Sequence, residues 1–168
     1  MGGLLTALTS AGVAYIVIGG VAVGAHGVVR ATKDLDICPA PERENLERLA
    51  RVLLDLGARQ VGVGGGGFAE NEMPFDPASP HDLGQGGNVR LDTRLGALDL
   101  MQWIPGIDAD HAFEVLRRNA QTAQAFGIEV MVCSLADLRL MKRTAGRPQD
   151  LIDLEGLAAA HPEADAGG

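Results

Sequence analysis

The sequence predicts an α+β (α/β) domain, a mixed β-sheet flanked by helices, with further helices at its C-terminal end. Three observations carry that expectation. Short strand-like runs lie at Tyr15 to Ile18 and Ile128 to Val132, an amphipathic pattern covers Pro41 to Leu56, and two successive helix signals follow Ser134. Strands interleaved with helices favour one sheet covered by helices over a bundle or a β-sandwich. With 168 residues the chain is long enough for one core without disulfides or structural metal. We expect one domain over 1–160 and a flexible, Gly-ending tail over 161–168.

Each element has its own signal. Leu4, Leu5 and Leu8 sit at helical spacing before Gly12, giving a first short helix. Tyr15 to Ile18 then reads as a strand, Gly19 and Gly20 as a tight turn, and Val21 to Val29 as a small-residue helix. From Asp34 to Ile37 acid and aliphatic residues alternate, which puts Asp34 and Asp36 on one face and Leu35 and Ile37 on the other. Pro41 opens a helix whose Leu46, Leu49, Leu53 and Leu56 step by three and four, and Gly57 stops it.

Between Gly62 and Asn88 the chain is rich in Gly, Pro, Asp and Asn with hardly any periodicity. So long a connection is either mobile or functional, and we expect it to be poorly ordered without ligand, as a lid would be. Val89 to Asp92 and Ala97 to Ile104 read as strands joined near Gly96, and Ala112 to Arg118 as a helix. Ser134 with Asp137 resembles a capping box before a helix bearing Leu138, Met141 and Ala145. Gly146 ends it, and Pro148 opens a last helix whose Leu151, Leu154, Leu157 and Ala158 form the apolar set.

Composition excludes several functions. The formal charge of −8 argues against a broad basic surface for nucleic acid. No stretch approaches the roughly 20 apolar residues that span a bilayer, no secretory signal stands at the N-terminus, and the cytoplasm is the default compartment. Cys38 and Cys133 form no C-x-x-C pair and read as buried free thiols. Gly62, Gly64 and Gly67 spell G-x-G-x-x-G, but Pro74, Pro77 and Pro80 follow, so no dinucleotide-binding helix can open there. No G-K-[ST] sequence exists, which removes the P-loop. His26 reads as a packed histidine, and His81, His111 and His161 have no partner at metal-ligand spacing.

The residues able to do chemistry are acids beside a bare turn. Asp34 and Asp36 at i and i+2 can share hard divalent cations, although a solvated strand face has the same spacing. Gly19 and Gly20, after a strand and before a helix, let a phosphate approach peptide N–H groups, or form only a turn. Asp99 interrupts the apolar run Leu98 to Met101, where burial without a cation is costly.

Gly19, Gly20 and then Arg30, Ala31, Thr32, Lys33, Asp34, Leu35, Asp36 resemble the signature of the nucleotidyltransferase superfamily. There a Gly-Gly or Gly-Ser turn precedes a D-x-D strand, with a third acid on a later strand. Small bacterial proteins grouped with AbiEii-type toxins and minimal nucleotidyltransferases are similar also at the end, through Leu140 to Arg143, Gly146 to Leu151 and Asp153. The resemblance implies the nucleotidyltransferase fold, with Asp34, Asp36 and Asp99 as catalytic acids holding Mg²⁺ or Mn²⁺. It implies a nucleoside triphosphate at Gly19 and Gly20, with Arg30, Thr32, Lys33 and Lys142 around the phosphates. The activity implied is transfer of a nucleoside monophosphate to a hydroxyl of RNA, a partner protein or a small molecule, with a toxin–antitoxin role among the options. Asp99 takes the part of activating that hydroxyl by resemblance alone. An idle member of the fold serving as a binding or antitoxin module, and a hydrolase using the same metals on water, are the competing readings. Arg139 and Arg143 read as solvated helix surface, and Arg147 with Asp150 equally as an ion pair fixing the last turn.

Overall fold

The computed structural model describes residues 1–62, 75–108 and 111–162. In chain order its elements are α1 (Gly2–Ser10), β1 (Tyr15–Val17), α2 (Gly19–Ala25), β2 (Asp34–Pro39), α3 (Arg43–Asp55) and β3 (Arg59–Gly62). Then follow α4 (Pro80–Leu83), β4 (Asn88–Thr93), β5 (Gly96–Met101), α5 (Ala112–Asn119), β6 (Gln121–Ala125), β7 (Ile128–Val132), α6 (Leu135–Ala145) and α7 (Pro148–Ala160). The strands form one mixed sheet in the order β3-β4-β5-β2-β1-β7-β6. β2 runs parallel to β5 and β1 parallel to β7, while the other pairs are antiparallel.

The sheet separates two apolar clusters. Leu35, Ile37, Val89, Leu91, Leu98 and Leu100 project from the central strands into one, together with Leu4, Leu5 and Leu8 of α1 and Leu46, Leu49 and Leu53 of α3. The other gathers Ile16, Ile18, Val23, Leu116, Leu138, Met141 and Leu157. Period-two alternation on β2 and β4 therefore leaves Asp34, Asp36 and Arg90 on the face away from the first cluster. Cys38 and Cys133 are buried free thiols, and burial pushes both up to about 12. Among the described residues no helix is long and apolar enough to cross a membrane.

Several elements depart from the sequence expectation. The glycine pair is the first turn of α2, which starts at Gly19 and ends at Ala25, so Val29 lies outside it and is fully in solvent. β5 ends at Met101 rather than Ile104. The segment read as a structureless connection from Gly62 to Asn88 holds α4, where Ser79 Oγ accepts the Asp82 N–H at 3.2 Å and Pro80 occupies the first turn. Residues 63–74 of that segment, including Gly64, Gly67 and Pro74, lie outside the described residues, as do 163–168 of the expected tail. β3 and β6 are edge strands of mixed polar composition that periodicity does not mark. On α7 the inward residues are Asp150, Asp153 and Leu157, while Leu151 is exposed, because carboxylates on this helix meet cations from α6 and from Arg30. Arg139 is likewise buried rather than solvated, its Nη2 donating to the Leu157 carbonyl at 3.0 Å.

Asn45 joins the ends of β1 and β2 to α3. It is 2% exposed, its Oδ1 accepts the Ala14 N–H at 2.7 Å, and its Nδ2 donates to the Ala14 and Ala40 carbonyls at 3.0 and 2.9 Å. Removing the amide strands backbone groups away from water. Asn45→Ala should lower unfolding stability by about 2–4 kcal/mol, whereas Arg43→Ala, which loses only the exposed pair with Glu47, should change it by less than about 0.5 kcal/mol. Urea denaturation of the two variants beside the parent checks this, and similar midpoints for both would contradict it.

Candidate active site

Strand register builds the site. Asp36 on β2 is the partner of Asp99 on the parallel neighbour β5, and Asp99 is the partner of Arg90 on β4. Paired residues on adjacent strands share a face, so Asp36, Asp99 and Arg90 form a row across three strands with Asp34 one period along. Sequence spacing places the first two acids together, and register adds the third.

The turn ahead of α2 closes over this row. Gly19 has φ +61°, and a Cβ built there would lie 2.0 Å from Asp36 Oδ2, so only glycine lets the backbone and carboxylate approach this closely. A Cβ on Gly20 would meet Thr32 Oγ1 at 2.5 Å and Arg30 Nη2 at 2.8 Å. The Gly20 N–H donates to the Asp36 carboxylate. Thr32 Oγ1 donates to the Asp34 carbonyl at 3.2 Å, bracing the start of β2.

Cations surround the acids. Arg90 Nη2 donates to Asp34 Oδ2 at 3.1 Å and its Nε stands 3.7 Å from Asp99 Oδ1. On the far wall Lys142 Nζ contacts Asp150 Oδ1 at 2.8 Å and Asp153 Oδ2 at 2.7 Å. Arg30 reaches the same Asp153, with Nη2 donating to Oδ2 at 3.2 Å and Nε 2.8 Å from Oδ1. Arg147 Nε donates to Asp150 Oδ2 at 3.1 Å, which is the ion pair one sequence reading proposed for the α6–α7 turn. Burial opposes the charge on Asp150, but Lys142 and Arg147 outweigh it and hold the carboxyl below its ordinary value.

A cavity of about 430 Å³ opens between these walls, a volume within the roughly 300–1,000 Å³ of small-molecule sites. Gly19, Gly20, Arg30, Asp34, Asp36, Asp99 and Lys142 all line it, with Arg90 and Arg147, which the sequence did not single out for it. Met101, Ile104, Leu138 and Met141 make its apolar wall. Lys33 is exposed and does not line the cavity, and Thr32 sits behind Gly20. His26 Nε2 donates to the Cys133 carbonyl at 2.9 Å and His161 Nε2 to the His26 carbonyl at 2.7 Å, so both are held in structural contacts.

The acids carry more negative charge than their setting tolerates. Burial, then repulsion from Asp34 and Asp99, raises Asp36 to about 7 against the opposing Gly20 hydrogen bond and Lys142. Burial also raises Asp99, opposed by Arg90, reinforced by Asp34 and opposed again by Arg147. Asp99 Oδ1 is buried with no hydrogen-bond partner. Three carboxylates on one face with an orphaned oxygen fit a hard divalent cation in donor chemistry. As they stand they are not drawn around one point: among the described residues no group of three His, Cys, Asp or Glu side chains is arranged to hold a metal.

The fold has counterparts among solved structures. The chain matches the lincomycin-bound lincosamide antibiotic adenylyltransferase LnuA with TM-score 0.60 at 14% identity, covering 94% of this chain and 93% of that one. The fold is that of the nucleotidyltransferases. ANT(2″)-Ia in complex with adenylyl-2″-tobramycin matches with TM-score 0.58 at 16% identity, over 97% of this chain and 87% of that one. A Thermotoga maritima protein described as a putative nucleotidyltransferase, TM1012, gives 0.54 at 16% identity, over 92% and 91%. No protein-family model matches the chain, and no curated protein matches it.

The raised Asp36 makes the stability of the metal-free protein depend on pH. Between the unfolded value near 3.9 and the folded value of about 7, the native chain holds a proton that the unfolded chain has released. This group's contribution is therefore favourable at low pH and is lost as pH rises through 7. Asp36→Asn should match the parent near pH 4 and exceed it at pH 8 by on the order of 1–2 kcal/mol, the effect being reduced by partial exposure to water. Urea melts in chelator across that range test it, and a difference that does not change with pH would sink it.

Proposed function

We propose that this chain is a metal-dependent nucleotidyltransferase that moves a nucleoside monophosphate from a nucleoside triphosphate to a hydroxyl of a small molecule. The observation that carries the reading is the register of Asp36 with Asp99 beside Asp34, facing a glycine turn too tight for any side chain. Acids and phosphate-accepting backbone on one cavity are what in-line displacement at an α-phosphate requires.

In this reading Asp34, Asp36 and Asp99 hold Mg²⁺ or Mn²⁺, which supplies charge neutralisation for the phosphates when bound. The first-turn N–H groups of α2 receive phosphate oxygens at the bare Gly19 and Gly20. Arg30, fixed by Asp153 directly above Gly20, presents a guanidinium to the same oxygens. Lys142 is 7% exposed and already divided between two carboxylates, so its part is to hold Asp150 and Asp153, and through Asp153 to hold Arg30. The acceptor oxygen attacks the α-phosphorus, pyrophosphate leaves, and the hydroxyl proton passes to the carboxylate of Asp99, which lines the cavity.

A small-molecule acceptor is favoured over RNA by the −8 charge and by the apolar wall of a cavity of small-molecule size. It is favoured over a partner protein of a toxin–antitoxin pair because two proteins of this fold, LnuA and ANT(2″)-Ia, are described with lincomycin and with adenylyl-2″-tobramycin bound. ATP is the first donor to test for the same reason, and the cytoplasm, where triphosphates are held, is the proposed compartment. One observation favours the idle-module reading: Arg90 bridges two of the acids.

Incubating the chain with Mg²⁺, α-labelled triphosphates and hydroxylated small molecules such as lincosamides and aminoglycosides should give labelled product and pyrophosphate. Asp34→Asn and Asp99→Asn should each lose at least about 100-fold in rate, with the fold retained by circular dichroism. Absence of labelled product together with absence of metal-dependent triphosphate binding would falsify the enzyme and leave the module.

A further inference from the structure

Among the described residues Arg90 is the cavity cation whose ion-pair partners are the acids of the β2–β5 row themselves. Its Nη2 lies 3.1 Å from Asp34 Oδ2 and its Nε 3.7 Å from Asp99 Oδ1, so one guanidinium spans the gap between two carboxylates on different strands. Its side chain is 45% exposed, in contrast to 9% for Lys142. Exposed ion pairs are cheap to break, and a planar guanidinium suits phosphate as well as carboxylate. Asp99 Oδ1, buried and without a hydrogen bond, shows that Arg90 only partly satisfies the pair.

We propose that Arg90 is the resident counter-ion of the acidic row, that a divalent metal enters by displacing it, and that the released guanidinium then grips the incoming triphosphate. This rests on the metal-site reading above and adds an order to it. Metal alone competes with Arg90 for Asp34 and Asp99. Metal arriving with a triphosphate meets less opposition, because the displaced guanidinium exchanges one anion for another. The two ligands therefore load together, and by linkage each raises the affinity for the other.

Calorimetric titration of the full chain with Mn²⁺, with and without a non-hydrolysable ATP analogue, tests this in the parent, Arg90→Gln and Arg147→Gln. Arg147 lines the same cavity and carries the same charge but pairs with Asp150, so its variant reports the through-space effect of losing one positive charge. Arg90→Gln should bind Mn²⁺ alone about two- to fivefold more tightly than the parent, by more than Arg147→Gln does. The analogue should strengthen Mn²⁺ binding less in Arg90→Gln than in the parent. Equal gains in the two variants, weaker Mn²⁺ binding in Arg90→Gln, or undiminished coupling to the analogue would each overturn the proposal while leaving the metal site standing. No Mn²⁺ binding by any of the chains would remove the metal site and this proposal with it. Arg90→Lys, which keeps the charge but cannot span both carboxylates, should fall between parent and Arg90→Gln, and covers the case of a glutamine variant that folds poorly.

Discussion

Repulsion among Asp34, Asp36 and Asp99 is the constraint around which the polar half of the molecule is arranged. Register fixes Asp36 opposite Asp99, and strand alternation fixes Asp34 on the same side, so none of the three can turn away without breaking the sheet. A protein that needed only a stable sheet would gain by placing aliphatic residues there, since buried charge is expensive. The rest of the site answers that cost in different ways: a peptide N–H at Gly20, an ion pair from Arg90, and a proton on Asp36 when neither suffices near neutrality.

The opposite wall shows a different solution to the same physics. Lys142, Arg30 and Arg147 are matched to Asp150 and Asp153 by short contacts, with both carboxylates deeply buried. Removing one partner of such a network strands the other, so it behaves as a fixed strut between α6, α7 and the segment ahead of β2. Its consequence for the cavity is geometric: Arg30 is held over the glycine turn by a residue from the far end of the chain. A lysine that resemblance to the superfamily assigns to phosphate is, in this chain, the keystone of that strut.

Much of this was readable beforehand because it depends on local rules. The glycine pair, the alternation from Asp34 to Ile37 and the acid inside Leu98 to Met101 each have a period or a steric requirement that needs no partner. Asn45, Arg90 and the inward face of α7 were not readable, for one shared reason. Each is defined by what lies across from it, and Val89, Arg90, Leu91 and Asp92 look like any half-exposed strand until Arg90 is set opposite Asp99. The acid positions on α7 even misled, because Leu151 suggested an apolar face where the charges of Arg30 and Lys142 had already claimed the interior. The edge strands β3 and β6 escaped notice since edge positions place little demand on composition.

Taken together the two walls separate the cations by mobility. Lys142 and the head of Arg30 are held by short contacts to the buried carboxylates of Asp150 and Asp153. Arg90 is half exposed and paired with the carboxylates of the proposed metal site. An acidic site with only fixed cations would either repel triphosphate when empty or hold its own charge so well that metal could not enter. Under the proposed scheme the guanidinium of Arg90 would avoid both outcomes, neutralising the row before loading and the phosphates after it.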